Sequence, residues 1–222
     1  MKTGTPERSR FCARDMKKIF LVTLFAAGLQ FGPQASARAG FVEGASAYNA
    51  GNYALALKEI SPLAKAGNPD AQHLLGLMYY MGRGVARDYK QAFAWHLKAA
   101  EQGKADAQYV VGAMYYTGNA VPQDQKHAVT WFRKAAEKGN SDAQHALGLM
   151  YRYSVAGVPQ DVVLAYMLYN LAAAGGHRNA AEQRAAIARK MRPEQVEEAQ
   201  ALSRTWKLGT PLPKTSRTGA AI

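Results

Sequence analysis

Residues 68–103 read NPDAQHLLGLMYYMGRGVARDYKQAFAWHLKAAEQG, and residues 104–139 read KADAQYVVGAMYYTGNAVPQDQKHAVTWFRKAAEKG. The two stretches agree at 18 of 36 positions, among them Gly76/Gly112, Met78/Met114, Tyr79/Tyr115, Gly82/Gly118, Asp88/Asp124, Trp95/Trp131 and Gly103/Gly139. Asp70-Ala71-Gln72 returns as Asp106-Ala107-Gln108 and again as Asp142-Ala143-Gln144. Self-similarity at this period marks an array of small units, none of which can bury its apolar face alone. The third copy, 140–176, keeps Gly148, Met150, Tyr151, Asp161, Ala165 and Gly176, places Leu168 where the others have tryptophan, and gains one residue near Ser154–Val158. That insertion is expected to bulge one loop.

Each copy reads as two helices. Ala71, Leu75 and Tyr79 recur at steps of four, and Gly82-Arg83-Gly84 then breaks the pattern, which predicts a helix A over 69–81. Asp88 offers a carboxylate to the free N–H groups of a new first turn, and Ala92, Trp95 and Ala99 mark one face until Gly103. Helix B is thus predicted over 89–102. Gly76, Ala92, Ala99 and Ala100 have little side chain to hold a neighbouring helix away, so the two helices are expected to approach closely, with Trp95 or Trp131 filling the remaining gap.

Shorter units flank the three repeats. Residues 38–67 read as an N-terminal capping pair, with Ala56, Ile60 and Leu63 as its buried stripe. Residues 177–207 read as a C-terminal capping pair of helices, about 178–191 and 193–206, the second opening on Pro193 with Glu194, Glu197 and Glu198 near the positive end of its dipole. Gly209, Pro211, Pro213 and several Ser/Thr residues predict a disordered tail over 208–222.

The other end of the chain reads as an address. Met16-Lys17-Lys18 feeds into the apolar run Ile19–Ala27, and Ala35-Ser36-Ala37 supplies small residues, the pattern of a secretory signal peptide (residues 1–37) cut before Arg38, with Met16 as the expected true start. The apolar run is about half of the roughly 20 residues a membrane span needs. The processed chain is therefore expected in the periplasm or the medium, with no membrane span. Cys12 is the only cysteine and lies ahead of the cut, so neither a disulfide framework nor a thiolate metal cage is expected.

The 222 residues are 48% hydrophobic, 10% aromatic and 20% charged, as in an ordinary globular protein, and carry a formal +12. Removing residues 1–37 leaves 22 basic against 14 acidic residues, and residues 178–222 hold nine basic against four acidic. An anionic envelope polymer drawn to that C-terminal end is one partner class consistent with this balance. Export and the lack of a basic–aromatic platform argue against nucleic acid.

The repeat residues resemble the Sel-1-like repeat family, relatives of tetratricopeptide repeats. The family's pattern is met by Ala71, Leu75-Gly76, Tyr79, Gly82-Arg83-Gly84-Val85, Asp88, Ala92, Trp95, Ala99-Ala100 and Gly103. The second copy departs with Val111 and Ala120, the third with Ser154 and Leu168, changes expected to alter loop shape more than packing. The resemblance, over about 40–207, implies an all-α fold, a right-handed α-α superhelix of helix pairs. It also implies a non-enzymatic adaptor for peptides or proteins, in an exported bacterial setting. Some cysteine-rich relatives have been discussed as hydrolases, but with no mature cysteine an envelope hydrolase is the weakest reading.

If Ala71, Leu75 and Tyr79 face inward, Asp70, His73, Leu77, Tyr80 and Met81 share another face of helix A. Their equivalents are Asp106, Tyr109, Ala113, Tyr116 and Thr117, then Asp142, His145, Leu149, Arg152 and Tyr153. In related helical repeats this face lines the concave side, and side chains with an apolar body and a polar edge suit an extended peptide. The partner-binding residues expected on it are His73, Leu77, Tyr80, Tyr109, Tyr116, His145 and Arg152. The alternative is that several of these tyrosines only pack against the next repeat. No catalytic, cofactor or metal site is expected. His73 and His145 lie two repeats apart, on the order of 20 Å at ordinary interhelix spacings. His96 and His127 have no evident His/Glu partner at ligand spacing, and Gly82-Arg83-Gly84 lacks the lysine and Ser/Thr of a phosphate loop.

Overall fold

The computed structural model describes residues 33–215, with side chains from Arg38 onward. Most of the segment read as an export signal lies outside the described residues. Ten α-helices and no strand occur among those described. Helices α1 (Pro33–Asn49) and α2 (Tyr53–Lys65) make the first pair. The three repeats follow: α3 (Pro69–Met81) with α4 (Tyr89–Glu101), α5 (Ala105–Thr117) with α6 (Gln125–Glu137), and α7 (Ser141–Tyr153) with α8 (Val162–Ala174). Helices α9 (Ala180–Ala188) and α10 (Pro193–Thr205) close the array. Through α8 each helix packs against its neighbours in the chain, so the pairs stack into an α-α solenoid. Among the described residues no helix is long and apolar enough to cross a membrane.

The helix boundaries follow from their caps. Asp88 accepts hydrogen bonds from the Lys90 and Gln91 N–H groups at 2.9 and 3.0 Å, and Asp124 and Asp161 cap α6 and α8 in the same way. The A helices α3 and α5 end on Gly82 and Gly118 at φ 69° and 74°; α7 ends on Ser154, which takes the same left-handed region at φ 54°. Ala120 adopts φ 74°, the value Gly84 has in the first repeat, so this departure keeps the loop's shape at the expense of backbone strain.

The contact between the helices of one repeat corrects the expected role of tryptophan. A Cβ built on Gly76 would sit 2.8 Å from the His96 ring, one on Gly112 2.8 Å from Phe132, and one on Gly148 2.6 Å from Tyr169. The ring against each glycine is therefore the residue after the tryptophan position, and His96, Phe132 and Tyr169 are all buried. Trp95 and Trp131 are half-buried, each covered by a lysine one turn on: Lys98 Nζ lies 4.2 Å and Lys134 Nζ 4.3 Å from the ring centroid.

Consecutive repeats are joined by the glutamine of the Asp-Ala-Gln motif. Gln72 Nε2 donates to the Ala64 carbonyl at 3.2 Å, Gln108 to Ala100 at 3.0 Å and Gln144 to Ala136 at 3.1 Å, all buried. Each carbonyl also accepts the N–H of the glycine three residues on, Gly67, Gly103 or Gly139, so the glutamine takes its second lone pair at the end of the preceding helix. Lys104 adds a surface link, reaching Asp70 at 2.8 Å and Asp106 at 3.3 Å.

The C-terminal end holds the two expected helices but packs them differently from the helices of a repeat. Helices α9 and α10 both pack on α8. The reason lies in α8, where every residue from Val162 to Tyr169 is buried; a helix apolar on all sides needs covering on all sides. α9 is also shorter than expected. Residues 208–215, expected to be disordered, lie against α6 and α8 with Leu212 buried; residues 216–222 lie outside the described residues.

Gly148→Ala should destabilise the chain by about 1–3 kcal/mol, because overpacking against the Tyr169 ring outweighs the roughly 1 kcal/mol alanine gains in a helix. Gly40→Ala, whose Cβ would meet only Leu63 at an ordinary 3.6 Å, should be neutral or stabilising. Urea denaturation of the two variants measures the contrast.

Candidate functional site

Consecutive A helices leave two adjoining cavities between them. The first, about 240 Å³, lies between α3 and α5 and is lined by Leu77, Tyr80, Met81, His96, Tyr109 and Ala113 among others. The second, about 470 Å³, lies between α5 and α7 and includes Tyr109, Ala113, Tyr116, Phe132, Leu149 and Tyr153. Tyr109, Ala113 and Thr117 belong to both, so the two form one trough partitioned by α5. Ala113 keeps the partition low. The large side chains at the rim are the most exposed apolar groups on this face: Met81 at 53%, Tyr116 at 37% and Tyr153 at 57%. Burial at its foot raises the pKa of the Tyr109 phenol, which stays protonated and able to donate a hydrogen bond.

Of the seven residues expected to bind a partner, the structure brings Leu77, Tyr80, Tyr109 and Tyr116 together on this trough. His73, His145 and Arg152 line neither cavity. His73 Nδ1 lies 3.2 Å from His96 Nδ1, and the two rings are 4.9 Å apart. His145 is stacked on His177, with centroids 4.0 Å apart and planes 18° from parallel, and His177 faces Asp142 at 3.7 Å. Arg152 donates to Gln183 Oε1 at 2.7 Å and covers the Tyr153 ring, tying α7 to α9.

One regularity explains this placement. The fifth residue of each A helix rests on the ring that fills its repeat's glycine: His73 on His96, Tyr109 on Phe132, His145 on Tyr169. These side chains lean toward helix B, and only the bulk of Tyr109 carries it into the trough as well. The sequence reading missed His96 and Phe132 as trough residues, and it left His96 without a partner. The Gly76–His96 contact joins residues 20 apart, a signal visible only by asking which helix B side chain faces the glycine. His127 also has a partner, Asp124 at 2.7 Å, beside its own helix cap. Arg83 of the glycine loop is a structural link, donating to the Tyr48 hydroxyl at 3.0 Å between the Tyr48 and Tyr53 rings. Among the described residues no group of three or more His, Cys, Asp or Glu is gathered as a metal site would require.

Comparison with known proteins matches the Sel1 repeat model to residues 69–104, 105–140 and 141–177. A crystal structure of a Sel1 repeat protein from Oxalobacter formigenes is similar at 37% identity and TM-score 0.62, the match covering 65% of this chain and 58% of that one. A protective antigen of uropathogenic Escherichia coli strains, displaying an SLR fold, is 29% identical at TM-score 0.46, with 68% and 40% covered. The chain thus matches somewhat over half the length of the first structure and less than half of the second. A search of curated proteins finds no match.

The His73–His96 pair carries a pH dependence. Its Nδ1–Nδ1 hydrogen bond needs one donor and one acceptor, so at least one ring must be neutral. Burial, with His73 as the lesser cause, pushes His96 down to about 3, and burial lowers His73 as well. The unfolded chain takes up these protons near pH 6.5 and the folded chain only at lower pH, so stability held above pH 6.5 is lost as the pH falls toward 3. His96→Phe, which copies Phe132 of the next repeat, should keep the fold at neutral pH and flatten the loss of stability on acidification. Denaturation midpoints between pH 7 and 4 test this.

Proposed function

Since the chain belongs to the Sel1-repeat family, we propose that it is an exported, non-enzymatic scaffold that binds an extended segment of a partner protein along the concave face formed by its A helices. Sel1 repeats serve in general as protein-interaction scaffolds. The observation that carries the reading is the pair of apolar cavities partitioned by α5 and rimmed by exposed Met81, Tyr116 and Tyr153. Two pockets separated by one repeat suit two apolar side chains of one extended ligand. Tyrosines at the rim offer large contact area with few rotatable bonds and a hydroxyl for the ligand's backbone.

Ala113 and Tyr116 discriminate this reading from mere packing. With a partner captured from envelope extract, Ala113→Arg should block both pockets and Tyr116→Ala should remove one wall, each weakening binding at least about tenfold, or ~1.4 kcal/mol, with helical content unchanged. Titration of the purified partner against both variants checks it; unaltered affinity in both would move the site elsewhere. Export is supported by the basic–apolar–small pattern over residues 16–37. N-terminal sequencing of the protein recovered from the envelope or medium of its producing cell should read from Arg38.

A further inference from the structure

The two trough cavities differ in the ring at their floor. In the second it is Phe132, all hydrocarbon; at the same place in the first stands the imidazole of His96. His96 is fully buried, and its Nε2 has no hydrogen-bond partner. Among the described residues, it is the one buried side chain with such an unpartnered atom that lines the trough; Gln108, His145, Tyr169 and His177 do not. An unpaired buried polar atom costs stability, and a partner that reaches it recovers that cost.

The ring is turned so that this nitrogen serves the cavity. Its other nitrogen, Nδ1, is 3.2 Å from His73 Nδ1, and the ring lies on Gly76. Nε2 is therefore on the side away from His73, toward Leu77, Tyr80 and Met81, which line the cavity. Where His73 donates in the shared bond, His96 carries its proton on Nε2; where His96 donates, Nε2 is a bare acceptor. A hydroxyl, donor and acceptor at once, meets either state. A carbonyl meets only the first and an ammonium only the second, and a carboxylate would bring a full charge among apolar walls. Those walls include Tyr80, Tyr109, Met81 and Met114, rings and thioethers that favour an aromatic guest. The nitrogen lies below the cavity's present surface, so a guest reaches it as the unbranched side chains of Met81 and Met114 turn aside.

We propose, taking the trough as the partner-binding face, that His96 is its specificity-determining residue and that the partner segment places a tyrosine in the first cavity, with its hydroxyl on His96 Nε2. The second cavity, floored by Phe132, takes an apolar side chain without a hydroxyl. Neighbouring helices lie roughly 8–10 Å apart. In a polyproline II segment, residues three apart face the same way at roughly 9 Å. The tyrosine and the apolar residue are thus separated by two others.

Fluorescent peptides with the cores Tyr-Pro-Pro-Leu and Leu-Pro-Pro-Tyr, one for each chain direction, test this against the full chain at pH 7. The tighter of the two should weaken at least about fivefold when its tyrosine is replaced by phenylalanine. In His96→Phe the two versions should bind alike. The ¹⁵N resonance of His96 Nε2 in the wild-type chain should move with the tyrosine peptide and not with the phenylalanine one, a readout that stands even where His96→Phe fails to fold. Equal wild-type affinities for the two versions, the same loss in His96→Phe, an unmoved Nε2 resonance, or no binding of either core at millimolar concentration overturns the proposal. Ala113→Arg separates this assignment from the trough itself. Peptide binding that ignores Ala113→Arg removes both readings, whereas binding that it abolishes, without a hydroxyl effect, removes the tyrosine alone.

Discussion

A glycine in the middle of each A helix, pressed against a ring of its own B helix, sets the spacing on which the other contacts depend. With Gly76, Gly112 and Gly148 in these places the two helices close until the ring lies on bare backbone. At that distance Ala92, Ala99 and Ala100 of α4 and Ala128, Ala135 and Ala136 of α6 are buried, and Gln72, Gln108 and Gln144 reach the carbonyls of the preceding unit. The glycine costs helix propensity, about 1 kcal/mol against alanine. The array accepts that three times over because a Cβ at the same place would force each pair apart. The trough follows from the same spacing: A helices carried by closely packed pairs leave pockets between them only as deep as Ala113 and its neighbours allow.

Much of this was legible in the sequence. The 36-residue period, the Asp88-type caps and the glycine stops place α3 at Pro69–Met81 as expected and α4 within a residue of its expected end. The ring on the glycine was not legible, because comparing the chain with itself picks out what repeats. Trp95 and Trp131 repeat; His96, Phe132 and Tyr169 do not, though all three fill the same space. Adjacent residues on a helix point about 100° apart, so the choice between them turns on packing geometry that identity does not record. The tail failed for a related reason. Proline and glycine mark a segment that forms no helix, but an extended segment can still be anchored through one leucine and one N–H.

The expected binding residues divide along the same line. Leu77, Tyr80, Tyr109 and Tyr116 were placed by helical periodicity alone, and periodicity sufficed because they face the gap to the next A helix. His73 and His145 share the periodicity of Tyr109 yet are drawn to rings and imidazoles of neighbouring helices, contacts of 23 and 32 residues' separation. Arg152 is drawn off by Gln183 of α9, a helix outside the repeat. Helical spacing tells which side chains share a face; what occupies the space above that face depends on elements elsewhere in the chain.

The all-round burial of α8 gives the molecule a heavy end. Its apolar cluster gathers α6, α7, α9, α10 and Leu212, while α1 and α2 rely on one face of α3. Local opening draws on the least buried units first, so the solenoid unzips from its amino-terminal pair and holds its carboxyl-terminal half as the last cooperative foldon. The amino-terminal pair, whose Val42 is exposed, thereby becomes the breathing end of the rod.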